Sequence, residues 1–200
     1  MTVDDLIDDI GAELMGCPRP AIRRALTLTA QHLSRNAGIW QQKLDPMFAV
    51  AKIQNYEISG PRNSKIQRIT QVVDDESNML HPSSPFTTDK EGRPEYYWFD
   101  GAEMMIAPIP DERVKLNLTA VLIPESVEDL PENIVAREAD VLRSGAVSRL
   151  RRQLGEQWGN ASLAAAADSE YQKLLGDSRK RALQGQVGGR LVTKYRRLGY

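Results

Sequence analysis

The sequence predicts an α+β fold: a helical bundle built from both chain ends, an inserted antiparallel β-rich segment, and an extended C-terminal arm. Three observations lead there. Apolar residues recur at three- and four-residue steps near the N-terminus and again beyond residue 130, the period of an amphipathic helix. Between residues 39 and 124 that period gives way to short apolar runs bounded by Gly, Pro, Asn or Asp, which mark strands and turns. After Gly185, Gly188 and Gly189 the chain mixes cations with apolar and aromatic residues. The expected divisions are a helix pair at 1–38, the β-rich insertion at 39–124, a second helix pair at 125–186 and the arm at 187–200.

The first helix covers 3–15. Thr2 is placed as its N-cap, Asp4 and Asp5 sit in the positive first turn, and Val3, Leu6, Ile7, Ile10 and Leu14 form its apolar face. Gly16 and Pro18 end it. A second helix starts near Pro20, because proline in a first turn gives up no hydrogen bond. Ile22, Leu26, Thr29, Ala30 and Leu33 make its stripe, and Gly38 stops it. So short a link sets the two helices as an antiparallel or crossed pair. Strands are expected at 48–53, 66–73, 96–99, 104–107 and 114–123, with turns at 89–94 and 108–111. The last strand keeps strict period two through Val114, Leu116, Leu118, Ala120 and Leu122.

The residues Asp129-Leu130-Pro131-Glu132 open a third helix running to about Gln153, with Val135, Ala139, Leu142, Ala146 and Leu150 on its apolar side. Gly155, Trp158 and Gly159 break the chain, and Asn160 caps a fourth helix over 161–184 with the stripe Leu163, Ala167, Tyr171, Leu174 and Ala182. Two helices at each end bury their stripes most simply against one another, which turns the strand-rich middle into an insertion.

The composition removes several classes. One cysteine, Cys17, cannot close an internal disulfide, and a reducing compartment suits it. No apolar run approaches the roughly 18 residues of a membrane span, so no membrane partner is expected. The acidic start lacks the basic-then-apolar order of a signal peptide, so a soluble protein not secreted by the usual route is expected. The net charge of −1 hides an uneven distribution. Residues 1–142 carry 14 basic and 23 acidic side chains, a sum of −9, whereas residues 143–200 carry 12 and 4, a sum of +8.

Little in the chain points to catalysis, and no enzyme, metal or cofactor is expected. His32 falls within a helix and His81 beside Pro82, neither with Cys or carboxylate at ligand spacing. Cys17, between Gly16 and Pro18, reads as packing at a helix junction. The run 185–189 lacks the Gly-Lys-Ser/Thr ending of a phosphate loop and follows a helix where such a loop precedes one. Asp4, Asp5, Asp8 and Asp9 read as a solvated face suited to the helix dipole, with cation attraction as the lesser reading. Trp98 in Tyr96-Tyr97-Trp98-Phe99 reads as strand packing at least as well as base stacking.

The basic end is the strongest signal. Arg143, Arg149, Arg151 and Arg152 lie on the third helix and Arg179, Lys180 and Arg181 on the fourth, an expected inter-subunit basic face. In the arm, Arg190, Lys194, Arg196 and Arg197 alternate with Leu191, Val192, Tyr195, Leu198 and Tyr200. Cations studded with apolar anchors read as a docking peptide that orders on a partner protein. Nucleic acid is the competing partner, through phosphate contacts and stacking.

The order Gly92-Arg93-Pro94-Glu95-Tyr96-Tyr97, Met105-Ile106-Ala107-Pro108-Ile109-Pro110, then the strand closing at Pro124 resembles the middle of bacteriophage head-to-tail adaptor proteins. Leu130-Pro131 before a helix, Gly145-Ala146 with Leu150 inside it, and the Ala-rich 161–167 after Trp158 extend the likeness over about residues 40–185. Within that family it is most similar to the tail tubular A type of short-tailed phages. The resemblance implies a structural virion protein at the head–tail junction, assembled in the host cytoplasm. It further implies a closed ring, typically dodecameric, between the portal protein and the tail nozzle or tail tube, with genomic DNA passing through the lumen. In that picture the helices build the ring, the inserted sheet faces the tail, and the C-terminal arm reaches the portal.

Overall fold

In the computed structural model, which describes residues 1–186, helix α1 (Val3–Glu13) begins with a reciprocal cap. The Thr2 hydroxyl accepts the Asp5 N–H at 3.2 Å, and the Asp5 carboxylate accepts the Thr2 N–H at 2.6 Å. Helix α2 (Arg19–Ala37) ends at Gly38, whose left-handed φ of 64° lets its N–H reach the Ser34 carbonyl at 2.9 Å. Leu6, Ile7 and Ile10 of α1 and Ile22, Leu26 and Leu33 of α2 are buried, the faces the apolar period marks out.

Eight strands follow: β1 (Gln41–Lys43), β2 (Met47–Ala49), β3 (Asn55–Glu57), β4 (Ser64–Val73), β5 (His81–Pro82), β6 (Tyr96–Phe99), β7 (Glu103–Ala107) and β8 (Val114–Pro124). β8 is the axis of one sheet. β1 and β2 pair antiparallel along one side of it, β4 along the other. The second sheet runs β3-β7-β6-β5. Its pairs are antiparallel except β5–β6, which run parallel and so depart from the all-antiparallel expectation: β5 arrives after the 74–78 turn already aligned with β6.

The expected strand at 66–73 is present as β4 with an irregular register, whereas that at 48–53 differs from the sequence reading. Burial along β4 repeats every third residue, at Ile66, Ile69 and Val72, because register shifts after Ile66 and Ile69 each insert a residue and turn the next apolar side chain inward. The predicted strand 48–53 survives only in β2. Lys52 takes a positive φ of 65°, and the Tyr56 hydroxyl closes the turn by accepting the Val50 N–H at 3.0 Å and donating to the Ile53 carbonyl at 2.7 Å. Phe48, Val50 and Ile53 are therefore left about half exposed.

After a 3-10 turn (Val127–Asp129), the predicted third helix divides into α3 (Glu132–Arg137) and α4 (Ala139–Arg151). The division falls at Glu138, whose φ of −104° and ψ of 15° leave the helical region, and its carboxylate is drawn toward the last helix. Helix α5 (Ala161–Gln186) is capped as expected, Asn160 Oδ1 accepting the Leu163 N–H at 3.0 Å. Its buried residues are Ala164, Tyr171 and Ser178, while Leu163, predicted inside, is 47% exposed. A seven-residue recurrence is what a helix shows when it rests on a narrow seam between two others.

Helix α4 is that seam's centre, lying against α1, α2 and α5. The pivot is Gly145: a Cβ there would stand 2.4 Å from Thr29 Cγ2 of α2 and 2.7 Å from Tyr171 Cε2 of α5. The hydrophobic core passes without interruption from these helices into the sheets, since α2 also packs on β8. Among the described residues no helix is long and apolar enough to cross a membrane.

Candidate assembly surfaces

The first surface is acidic. On α1, Asp5, Asp8, Asp9 and Ala12 share the outer face at i, i+3, i+4 and i+7, and all are exposed. Asp4 and Asp8 are not merely solvated: Arg19 pairs with both, and Arg23 reaches Asp4 at 3.8 Å. The hydrogen bonds from Thr2 hold the Asp5 carboxyl below its ordinary value. Among the described residues Asp9 has no cation within 4 Å.

The predicted basic face proves to be several sites. Arg143 and Arg151 both turn to Glu13 of α1, at 2.7 and 3.5 Å, and so tie α4 to α1 within one chain. Arg152 pairs with Asp168 at 2.7 Å and Lys180 with Asp177 at 3.2 Å. Arg181 reaches the buried Glu138 at 2.8 Å. Arg149 and Arg179 have no carboxylate partner among the described residues. The arm residues Arg190, Leu191, Val192, Lys194, Tyr195, Arg196, Arg197, Leu198 and Tyr200 lie outside the described residues.

Glu138 is the best-supported polar group in the helical layer. Its side chain is 1% exposed, yet it accepts from Arg137 Nε at 2.8 Å, Ser178 Oγ at 2.5 Å and Arg181 Nη2 at 2.8 Å. Burial pushes its pKa up, but the Ser178 hydrogen bond and the two guanidinium groups outweigh that and hold it below the ordinary 4.5. Arg137 also donates to the Ile39 carbonyl at 3.1 Å, so the site clamps α3, α4, α5 and the entry to the sheet. Nearby, His32 Nδ1 and the Tyr171 hydroxyl stand 2.6 Å apart. Burial, with Arg149 and Arg35, depresses the His32 pKa, and burial lifts Tyr171 to about 12. His32 thus links α2 to α5 through Tyr171.

Two further features escaped the sequence reading. Beside α2, where α5 has not yet reached it, opens a groove of about 730 Å³ with Ala21, Ala25 and Leu28 as its floor and Arg24, Arg149 and Arg152 at its rim. Residues 21, 25 and 28 repeat at helical steps next to the core stripe, a widening of the apolar face that was legible but unread. In the sheet layer, Arg93 of the Gly92-Arg93-Pro94 turn bonds Asp74 at 2.8 Å, Asp75 at 2.9 Å and Glu76 at 2.6 Å. Asp74, 3% exposed, also accepts the N–H groups of Glu76 and Asn78. Burial alone would raise its pKa, but Asn78 and Arg93 bring it below the ordinary value.

These surfaces are made of ion pairs and apolar shelves. The sequence profile of the SU10 adaptor protein family matches residues 1–193, nearly the whole chain. The chain belongs to the SU10 adaptor protein family. Membership identifies a phage head-to-tail adaptor with a structural role in the virion, in association with other head and tail proteins. Comparison with curated proteins finds no match. For an adaptor of this family, the acidic α1 flank, the Arg-rimmed groove and the sheet turns are candidate contact surfaces.

Proposed function

We propose that this adaptor closes into a homo-oligomeric ring, a dodecamer, between the portal vertex and the tail nozzle or tube, and that genomic DNA passes through its lumen during ejection. The family match over residues 1–193 carries the reading. The charge split supports it: an acidic α1 flank and a basic region on α4 and α5 suit a head-to-tail contact that closes by rotation. Arg143, Arg149, Arg151, Arg152, Arg179, Lys180 and Arg181 form the basic side. Five of them already hold partners within the chain, so Arg149 and Arg179 offer most to a neighbour.

The arm docks on the portal through Leu191, Val192, Tyr195, Leu198 and Tyr200, with Arg190, Lys194, Arg196 and Arg197 steering the encounter. One arm binds weakly. A ring presents many arms at fixed spacing, and the effective concentration makes their joint attachment stable. The helical layer builds the ring and the inserted sheets meet the tail, in a particle assembled in the host cytoplasm. Negative-stain imaging of the protein alone and with its portal tests the ring. Deleting residues 190–200 is expected to abolish portal binding while circular dichroism and melting stay unchanged; retained binding refutes the docking role of the arm.

A further inference from the structure

We infer that the groove between α2 and α4 seats the acidic outer face of α1 from a second copy of this chain. The inference rests on the ring reading and supplies the contact that ring requires. The groove and α1 occupy opposite flanks of α2. Arg19 and Arg23 reach Asp4 and Asp8, which fixes α1 on their side. Ala21, Ala25 and Leu28 fall across the buried Ile22–Leu26–Leu33 line from those arginines, on the other side. Complementary patches on opposite flanks are what a heterologous, rotationally closing interface needs.

Charge selects the occupant. Arg24 and Arg149 have no carboxylate within 4 Å among the described residues, and Arg152 has only Asp168. Against them the α1 face offers Asp5, Asp8 and Asp9 around Ala12, a small residue able to approach the Ala21–Ala25 floor closely. Leu28 at 43% exposure and Met15 at 81% give the two surfaces apolar ends to cover. The chain's own arm fits poorly, because Arg190, Lys194, Arg196 and Arg197 would confront the groove's cations. No described residue of α5 lines the groove: α5 touches its rim through Asp168 on Arg152 and meets α2 farther along, where Tyr171 lies against His32.

The test uses the full-length protein, with ring formation read by negative-stain imaging and sedimentation. Arg24→Glu and Asp9→Lys change exposed residues with no ion-pair partner among the described residues. Each alone is expected to abolish rings with melting unchanged, and the two together to restore them. In a Cys17→Ser background, Arg24→Cys combined with Asp9→Cys is expected to give a ladder of disulfide-linked oligomers under mild oxidation. If the unaltered protein forms no ring, alone or with portal, the ring reading falls and this contact falls with it. If rings persist in both charge variants, or the cysteine pair stays monomeric on reducing-agent-free gels, only the groove contact is overturned. Intact rings with portal or tail binding lost in Arg24→Glu would overturn it too, and would hand the groove to that partner.

Discussion

At Gly145 one hydrogen atom decides how closely three helices pack. A methyl group there must push back Thr29 or the Tyr171 ring, both of which are buried, so neither can yield cheaply. Gly145→Ala is therefore expected to cost about 1–3 kcal/mol, despite alanine's better helix propensity, and to lower the urea midpoint with little change in slope. An equal or higher midpoint would mean the seam is looser than the geometry requires. Glu138 gives a second test at this scale. Its folded-state pKa lies below 4.5, so the native state binds that proton less readily than the unfolded chain. The resulting stability is complete above pH 4.5 and is lost as pH falls from there through the depressed value. Glu138→Gln should flatten the acid limb of the stability–pH curve relative to the parent. At neutral pH it should cost about 1–3 kcal/mol, less than a fully buried pair, since Arg137 and Arg181 are each about half exposed. Parallel acid limbs in parent and variant would remove Glu138 from the account.

Elements differ in how openly the sequence declares them. α1, α2 and the start of α5 are legible because Thr2, Gly38 and Asn160 act locally, through backbone groups within a few residues. β8 is legible because its alternation is unbroken up to Ala120. β4 shows Ile66, Ile69 and Val72 at a spacing of three that a regular strand does not produce, and the shifted pairing with β8 explains it. The turn at 50–53 depends on Tyr56, and the division at Glu138 on Ser178 and Arg181 some forty residues on, so neither is visible in local pattern. The seven basic residues were legible as a cluster, but their pairing with Glu13, Asp168 and Glu138 was not, because partner choice belongs to the packing. The 74–78 turn shows the same dependence on distant residues. With Arg93→Ala, Asp74 loses its guanidinium but keeps its backbone donors, so the sheet should survive while amide exchange at Glu76 and Asn78 accelerates. Unchanged exchange at both amides would show that the aspartate turn holds itself.

For the whole molecule, the proposed head-to-tail ring requires each subunit to use both flanks. Ion pairs at a groove rim act within roughly one Debye length, about 8 Å at physiological salt, so ring yield should fall as salt rises while the monomer's melting temperature changes little. On the proposed contact, reversing Arg24 disables one flank and leaves the acidic α1 flank able to bind. Such a subunit adds to one end of a growing arc and then offers no groove to the next. Mixed with unaltered protein, a minority of Arg24→Glu subunits should therefore reduce closed rings far more than in proportion and leave short arcs in their place. A subunit carrying both Arg24→Glu and Asp9→Lys joins neither end of an unaltered arc, so it should dilute without poisoning. Counting arcs and rings across mixing ratios separates the two behaviours. A ring yield that declines only in proportion to the Arg24→Glu fraction would show that the flanks do not meet through this groove.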